Sequence, residues 1–266
     1  MKDIHATIGI LTYNSAENLA RCLESIKNFS EIIVADGGST DATLEIARAA
    51  GARIISQSNP GHSITNFALE RNRLLKAATE PWFFYLDSDE IMSPELVKHI
   101  RIIANDQMHP YGAYRVRYLK TNADASKIYR TFKEYYQIRL VRTDVGAHFE
   151  RPVHEHIIVP PGISVGQTET PWYVPLDAGD LSLRIVIPKI WKRTGMEAKE
   201  WQSNGVKDIF LRILGMPCIR IAKSLAKIVL VKLRWGKVSI PVRYEVIRII
   251  YTCFFSLRHV QRLIHV

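Results

Sequence analysis

The sequence predicts an α/β fold, a mostly parallel sheet covered by helices on both faces. Strand-like and helix-like segments alternate along the first hundred or so residues. The strand-like segments are continuous apolar runs rather than alternating ones, as strands buried on both faces must be. Polar clusters follow directly after three of these runs, and open α/β sheets bind ligands at the carboxyl ends of their strands.

The elements read in order as follows. Residues 4–12 (IHATIGILT) form a buried strand. A helix over 15–28 carries Leu19, Cys22, Leu23 and Ile26 as its apolar stripe, with Asn14 or Ser15 as N-cap. EIIVADGGSTD (31–41) is a second strand running into a tight Gly-Gly turn, then a helix over 41–50. ARIIS (52–56) is a third strand, and a helix over 63–78 leads into the strand WFFYLD. After Pro94 a helix reaches about residue 105. Segments 111–120 and 135–143 alternate as antiparallel strands do, and GAHFERPVHEHIIV adds a turn and another strand. From about 183 the pattern turns helical, so the expected division is 1–182 and 183–266.

A chain of 266 residues can bury a substantial core. Cys22, Cys218 and Cys253 are scattered, without CxxC or metal-ligand spacing, which argues against disulfides or zinc and fits a reducing compartment. The first residues hold a short apolar strand but no long apolar signal segment. Charge is uneven. Residues 181–266 carry 17 Lys or Arg against 4 Asp or Glu, the remainder 19 against 22. A nearly neutral body thus bears a basic extension suited to a polyanionic surface.

WFFYLDSDEIM (82–92) runs from an interior strand into Asp87-Ser88-Asp89-Glu90. Two carboxylates flanking a small residue can reach one hard cation, and Mg²⁺ commonly combines one or two carboxylates with phosphate oxygens. A lone DxD is also an ordinary solvated turn. Its company decides: ILTYNSAENLARCLESI (10–26), IIVADGGSTDAT (32–43), ERN (70–72), YLDSDE (85–90) and RPVHE (151–155) occur in this order. In these motifs, over roughly residues 5–160, the chain resembles family 2 glycosyltransferases, inverting enzymes of the GT-A fold. It is most similar to small bacterial enzymes that build lipopolysaccharide core and surface polysaccharide.

The resemblance implies roles. Thr12, Tyr13 and Asn14 lie beside the nucleotide base, and Asp36 accepts a hydrogen bond from a uracil-type ring. Gly37 and Gly38 allow close backbone approach. Arg71 and Asn72 contact donor phosphate or ribose. Asp87 and Ser88 adjoin the ribose or metal, and Asp87 and above all Asp89 ligate Mg²⁺ or Mn²⁺ on the diphosphate. The base for the acceptor hydroxyl is Glu155 with His154 assisting, and Glu90 is the second candidate. The ordinary alternatives are a helix-entry turn for Tyr13 and Asn14, an Asx turn for Asp36, a surface charge for Arg71, and strand hydrogen bonds for His154 and Glu155. TPWYVPLDAGD (170–180) offers no further histidine ligand.

CIRIAKSLAKIVLVKLRW (218–235) puts Arg220, Lys223, Lys227 and Arg234 near one helical face amid Ile, Leu and Val. In 242–266, IIYTCFFSL lies between Arg248 and Arg258, too short to span a bilayer. Apolar helices with basic borders predict peripheral binding to an anionic membrane, on the cytoplasmic face. The alternative is a packed subdomain or a homo-oligomer interface. The function predicted is sugar transfer from a nucleotide-sugar, expected to be a UDP-sugar, to a lipid-linked or lipopolysaccharide-type glycan. Two other classes fit less well. A sugar-nucleotide nucleotidyltransferase needs a Gly-rich basic phosphate loop that ILTYNSAEN does not supply, and a nucleic-acid module needs stacking aromatics among its cations.

Overall fold

The computed structural model describes residues 4–62, 64–106, 108–131, 133–177, 181–201, 206–236 and 239–264. The elements run β1 (Ile4–Thr12), α1 (Ala16–Ser25), β2 (Phe29–Asp36), α2 (Thr43–Ala49), β3 (Arg53–Ser56), α3 (Phe67–Ala77), β4 (Trp82–Asp87), β5 (Ile91–Met92) and α4 (Pro94–Asn105). Then come β6 (Ala113–Asn122), β7 (Tyr135–Arg142), β8 (His148–Glu150), β9 (His156–Ile158), β10 (Val165–Leu176), α5 (Leu183–Glu200), α6 (Val206–Phe210), α7 (Met216–Trp235) and α8 (Val242–Ile264). They form two compact units: Met1–Leu119 with Glu134–Pro175, and Lys120–Lys133 with Leu176–Val266. The second unit therefore takes in the 120–133 excursion, which no change of composition marks.

In the first unit the sheet order is β3-β2-β1-β4-β7-β6-β10-β5. β3, β2, β1 and β4 are parallel to one another. β4 with β7, β7 with β6, and β10 with β5 are antiparallel, the β6–β7 pair as the alternating 111–120 and 135–143 segments predict. The continuous apolar runs have a direct cause. Ile8 and Ile10 of β1 and Phe84 and Leu86 of β4 pack with Leu19, Cys22 and Leu23 of α1 in one layer. Leu11, Phe83 and Tyr85 face the opposite layer, with Ala68 and Leu74 of α3. Each fully buried Phe or Ile here contributes about 1.5–3 kcal/mol relative to exposure.

One helix cap and one helix start differ from the sequence reading, although Ser15 does hold the N-cap position of α1. Neither Asn14 nor Ser15 caps α1 with its side chain. Asn14 takes a left-handed φ of 47° and accepts Thr40 N–H at 2.8 Å, while Asp41 accepts the Ala16 N–H at 3.1 Å. The cap thus comes from a loop 25 residues away. α3 begins at Phe67 rather than 63, because Asn66 Oδ1 accepts Leu69 N–H at 2.9 Å and sets the N-cap there. Residue 63 itself lies outside the described residues. Ser93 caps α4 through Leu96 N–H, with Pro94 in the first turn.

From Leu183 on the described part of the second unit is mainly helical, and its 120–133 segment makes the short bridges Thr121 to Ile128 and Arg130 to Ser239. α5 and α7 both pack on α8. Trp191 sits edge-on to Phe254 and carries Arg258 over its ring at 3.4 Å. Among the described residues no helix is long and apolar enough to cross a membrane.

Candidate active site

The order β3-β2-β1-β4 means that connections leave β1 toward one side and resume at β4 on the other, a topological switch point between β1 and β4. Register makes the strand ends flush: Thr12 lies opposite Asp36, Leu11 opposite Asp87, and Asp36 opposite Ser56. Tyr13-Asn14, Asp36-Gly37-Gly38 and Asp87-Ser88-Asp89 consequently open on one edge, and Ser88 Oγ donates to Ser15 Oγ at 3.1 Å across the switch point. Tyr13 projects from this edge, 53 % exposed.

Asp36 builds the β2 loop from within. Its carboxylate accepts the Thr12 and Ser39 hydroxyls at 2.9 and 2.6 Å and the Gly38 and Ser39 N–H groups at 2.8 Å each. Burial raises this carboxyl, but the Ser39, Thr12 and Gly38 donors more than offset it and hold it below the usual carboxylate range. Four donors fill the acceptor capacity of a carboxylate. The Asx turn, one of the alternatives for this residue, is therefore what the structure shows. A base contact through Asp36 would require one of these bonds to open. Gly38 has φ 90°, and a Cβ there would stand 2.8 Å from Gly61 N. A Cβ on Gly37 would meet Gln57 Oε1 at 2.9 Å. Gln57, buried, donates to the Thr12 and Ala35 carbonyls at 3.1 and 3.0 Å and closes the loop floor.

Beneath the acidic turn two buried arginines clasp Tyr85. Arg71 and Arg139 lie 5.0 and 4.3 Å from its ring centroid. Arg139 spreads its guanidinium across both oxygens of Glu90, at 2.9 and 3.2 Å. Glu90 also accepts Trp172 Nε1–H and Asp87 N–H, both at 3.0 Å. Burial pushes the Glu90 carboxyl above its usual range, against the pull of Arg139. This corrects the reading of Glu90 as second candidate base. It is 4 % exposed, both oxygens are engaged, and it anchors the turn that carries Asp87 and Asp89.

Arg71 is 2 % exposed, donates to the Leu86 carbonyl at 3.1 Å and to Asp87, and lies 3.7 Å from Glu155 through Nε. It is no surface charge, and it sits beneath the turn rather than beside an open phosphate subsite. Asn72 also departs from its expected role. Its amide accepts Phe149 N–H at 2.7 Å and donates to the Phe149 carbonyl at 2.9 Å, so it brackets β8 instead of pointing at a ligand.

RPVHE forms the connection between the antiparallel β8 and β9, not part of a strand. Arg151 and His154 both adopt left-handed backbone, φ 68° and 56°. Such strain in non-glycine residues persists only where surroundings impose it. Here α3 imposes it: Phe67 N–H donates to the Pro152 carbonyl at 2.8 Å, and Asn72 holds Phe149. The result brings partly buried Glu155 toward Arg71 and Asp87 and leaves His154 exposed. Glu155 and Asp87, 68 residues apart in sequence, meet through one guanidinium.

Asp87, Glu90 and Glu155 thus gather around Arg71 and Arg139, and Asp89 lies in the same turn, two residues after Asp87. Among the described residues no three His, Cys, Asp or Glu side chains are placed to hold a metal by themselves. The donor set fits Mg²⁺ or Mn²⁺ only with phosphate oxygens completing the shell. Residues 178–180, the end of the segment read for a further histidine, lie outside the described residues. Arg139, Trp172 and Gln57 escaped the sequence reading. Arg139 carried a usable signal, a cation in the strand run QIRLV, whereas Trp172 and Gln57 carried none.

The model of glycosyl transferase family 2 matches residues 7–152, more than half of the chain. The chain belongs to glycosyl transferase family 2. The match runs from within β1 to beyond β8, hence over every strand end of the edge described, and the sheet with its flanking helices is the α/β architecture of GT-A enzymes. This family 2 chain is 33% identical over 90 residues to the SPbeta prophage-derived glycosyltransferase SunS of Bacillus subtilis, covering 34% of the chain and 21% of SunS. It is 33% identical over 112 residues to an uncharacterized glycosyltransferase of Rickettsia felis, covering 41% and 38%. It therefore spans about a fifth to two fifths of the length of these relatives. Glucosyl-3-phosphoglycerate synthase of Mycobacterium tuberculosis, in complex with Mn²⁺, UDP and glucosyl-3-phosphoglycerate, is similar at 24% identity and TM-score 0.35 over 42% of the chain and 43% of the synthase. At that score the family assignment rests on the sequence match.

Proposed function

We propose that this family 2 chain is an inverting glycosyltransferase. It moves a hexosyl group from a nucleoside-diphosphate sugar, expected to be a UDP-sugar, to a lipid-linked or lipopolysaccharide-type glycan at the cytoplasmic face of the membrane. The observation that carries this reading is the meeting of Glu155 with the Asp87-Ser88-Asp89 turn at the switch point, through Arg71.

The base of the donor lies against Tyr13 and the Asp36-Gly37-Gly38 loop, whose glycines let it pack closely on Gln57 and Gly61. Asp89, with Asp87 steadied by Arg71, would hold Mg²⁺ or Mn²⁺. When bound, that ion supplies Lewis-acid stabilisation of the leaving oxygen. Glu155 takes the proton of the acceptor hydroxyl as its oxygen attacks the anomeric carbon, on the face opposite the leaving group. The sugar–phosphate C–O bond breaks, and its electron pair departs with the nucleoside diphosphate. Arg71 orients Glu155 and keeps two carboxylates close enough to act on one substrate.

The second unit supports the membrane part. At 100° per residue α7 has three faces. Pro217, Ser224 and Val231 are buried, Arg220, Lys223, Lys227 and Arg234 form a basic stripe, and Ile219, Leu225, Val229, Leu230 and Leu233 form an exposed apolar one. A helix so divided lies in the headgroup layer.

Calorimetry against a panel of sugar nucleotides, with and without Mn²⁺, tests the proposal. Metal-dependent binding of one of them is expected, and Asp89→Ala should abolish it while leaving the circular dichroism spectrum intact. Unchanged affinity in Asp89→Ala would overturn the assignment of the metal site.

A further inference from the structure

The second unit contains a groove of about 580 Å³ between α5, α7 and α8, within the range of small-ligand pockets. Ile190 of α5, Leu230 of α7 and Ile247 of α8 give it an apolar wall. Arg220, Lys223 and Lys227 line it from one stripe of α7, and Arg248 lines it from α8. Arg248 is balanced by Glu245 at 3.2 Å. Arg220, Lys223 and Lys227 have no ion-pair partner among the described residues, and their helix contains five basic residues and no acidic one to pair with them. Three like charges on successive turns of one helix disfavour one another. They share the groove with the Tyr244 and Tyr251 rings, which bring apolar faces, the Tyr251 hydroxyl being donated to Glu197.

An occupant must therefore carry concentrated negative charge at one end and hydrocarbon at the other. We propose that this groove binds the phosphate headgroup of a membrane lipid, with the carbons nearest the phosphate against Ile190, Leu230 and Ile247. The cations supply charge-assisted hydrogen bonds to the phosphate oxygens. Lys223 and Leu230 also lie beside the exposed apolar stripe of α7, so a lipid whose phosphate enters the groove keeps its chains on the side where that stripe faces. The groove thus turns general attraction to an anionic surface into seating of one lipid molecule. This deepens the membrane part of the proposed function and is independent of the transfer chemistry.

The full-length protein is titrated by calorimetry with dihexanoyl phosphatidic acid below its micelle concentration, with inorganic phosphate and with dihexanoyl phosphatidylcholine. Saturable binding at one site per chain is expected for phosphatidic acid alone. Lys223→Ala/Lys227→Ala should weaken it ~30-fold, the combined worth of two cations near a lipid phosphate. Ala226→Trp keeps every charge but fills the groove, and should abolish binding; Ala226 is an exposed lining residue, so the helix tolerates the change. Lys232→Ala/Arg243→Ala removes two cations that do not line the groove and should leave the affinity within threefold. Equal weakening by both double variants, or unaltered binding in Ala226→Trp, would show a diffuse basic surface and overturn the groove. Equal binding of inorganic phosphate would overturn the lipid as occupant. Sedimentation of the same variants with phosphatidylglycerol vesicles keeps the two readings apart. Retained vesicle binding without phosphatidic acid binding removes the groove and leaves the peripheral helix standing.

Discussion

Replacing Glu90 by Gln separates a structural anchor from a catalytic base. The Glu90 carboxylate receives four donors: two guanidinium N–H groups of Arg139, the Trp172 indole and the Asp87 backbone, at 2.9–3.2 Å. Gln offers one oxygen and one NH₂ in the same space. Whichever way its amide points, two donors lose their acceptor: Arg139 Nη2 and Trp172 on one side, or Arg139 Nη1 and Asp87 on the other. An unsatisfied buried donor costs about 1–3 kcal/mol, so two cost about 2–6. Breaking a buried ion pair by removing one charge costs about 3–5 kcal/mol, in agreement. Glu90→Gln should therefore lower the unfolding free energy by about 4 kcal/mol, a large share of the 5–15 kcal/mol typical of domains. Urea denaturation followed by circular dichroism measures it. Glu90→Leu/Arg139→Met removes both charges but leaves Trp172 Nε1–H and Asp87 N–H without an acceptor, so it should recover little of the loss. A Glu90→Gln protein within 1 kcal/mol of the parent but with turnover reduced ~100-fold would refute the anchor and restore Glu90 as the base.

Glu155→Gln keeps shape and removes basicity, so donor affinity should stay level while turnover falls ~100-fold or more, read by single-turnover assay with saturating donor. Asn72→Ala should lower kcat about tenfold with the nucleotide Kd unchanged, because it frees β8 and the Glu155 loop; a raised Kd with normal kcat would make Asn72 a donor contact after all. Asp36→Asn should destabilise by about 2 kcal/mol near pH 7. Since the folded state holds this carboxyl low, its stabilisation is complete above the unfolded value near 3.9 and fades as pH falls through the lower folded one. Urea midpoints of parent and variant should therefore converge below about pH 4; a constant gap would exclude the carboxylate as its source.

What the chain determined by itself is whatever depends on neighbours in sequence. β1 and β4 stand at residues 4–12 and 82–87 as read, because unbroken apolar runs bury on both faces of a sheet. The polar residues after β1, β2 and β4 sit at one edge because parallel strands end in register, which the order of segments already implies. The basic stripe of α7 follows from helical period alone. Tertiary structure decided where each buried charge goes. Asp87, Asp89 and Glu90 are alike in sequence, yet Arg139 arrives from β7 and Trp172 from β10 to seal Glu90, while Arg71 arrives from α3 to hold Asp87. Asn72 and Asp36 likewise spend their hydrogen bonds on backbone that only folding brings near. A carboxylate's role is set by the donors that reach it in a low-dielectric interior, and those donors come from segments tens of residues away. Period and propensity carry no record of them.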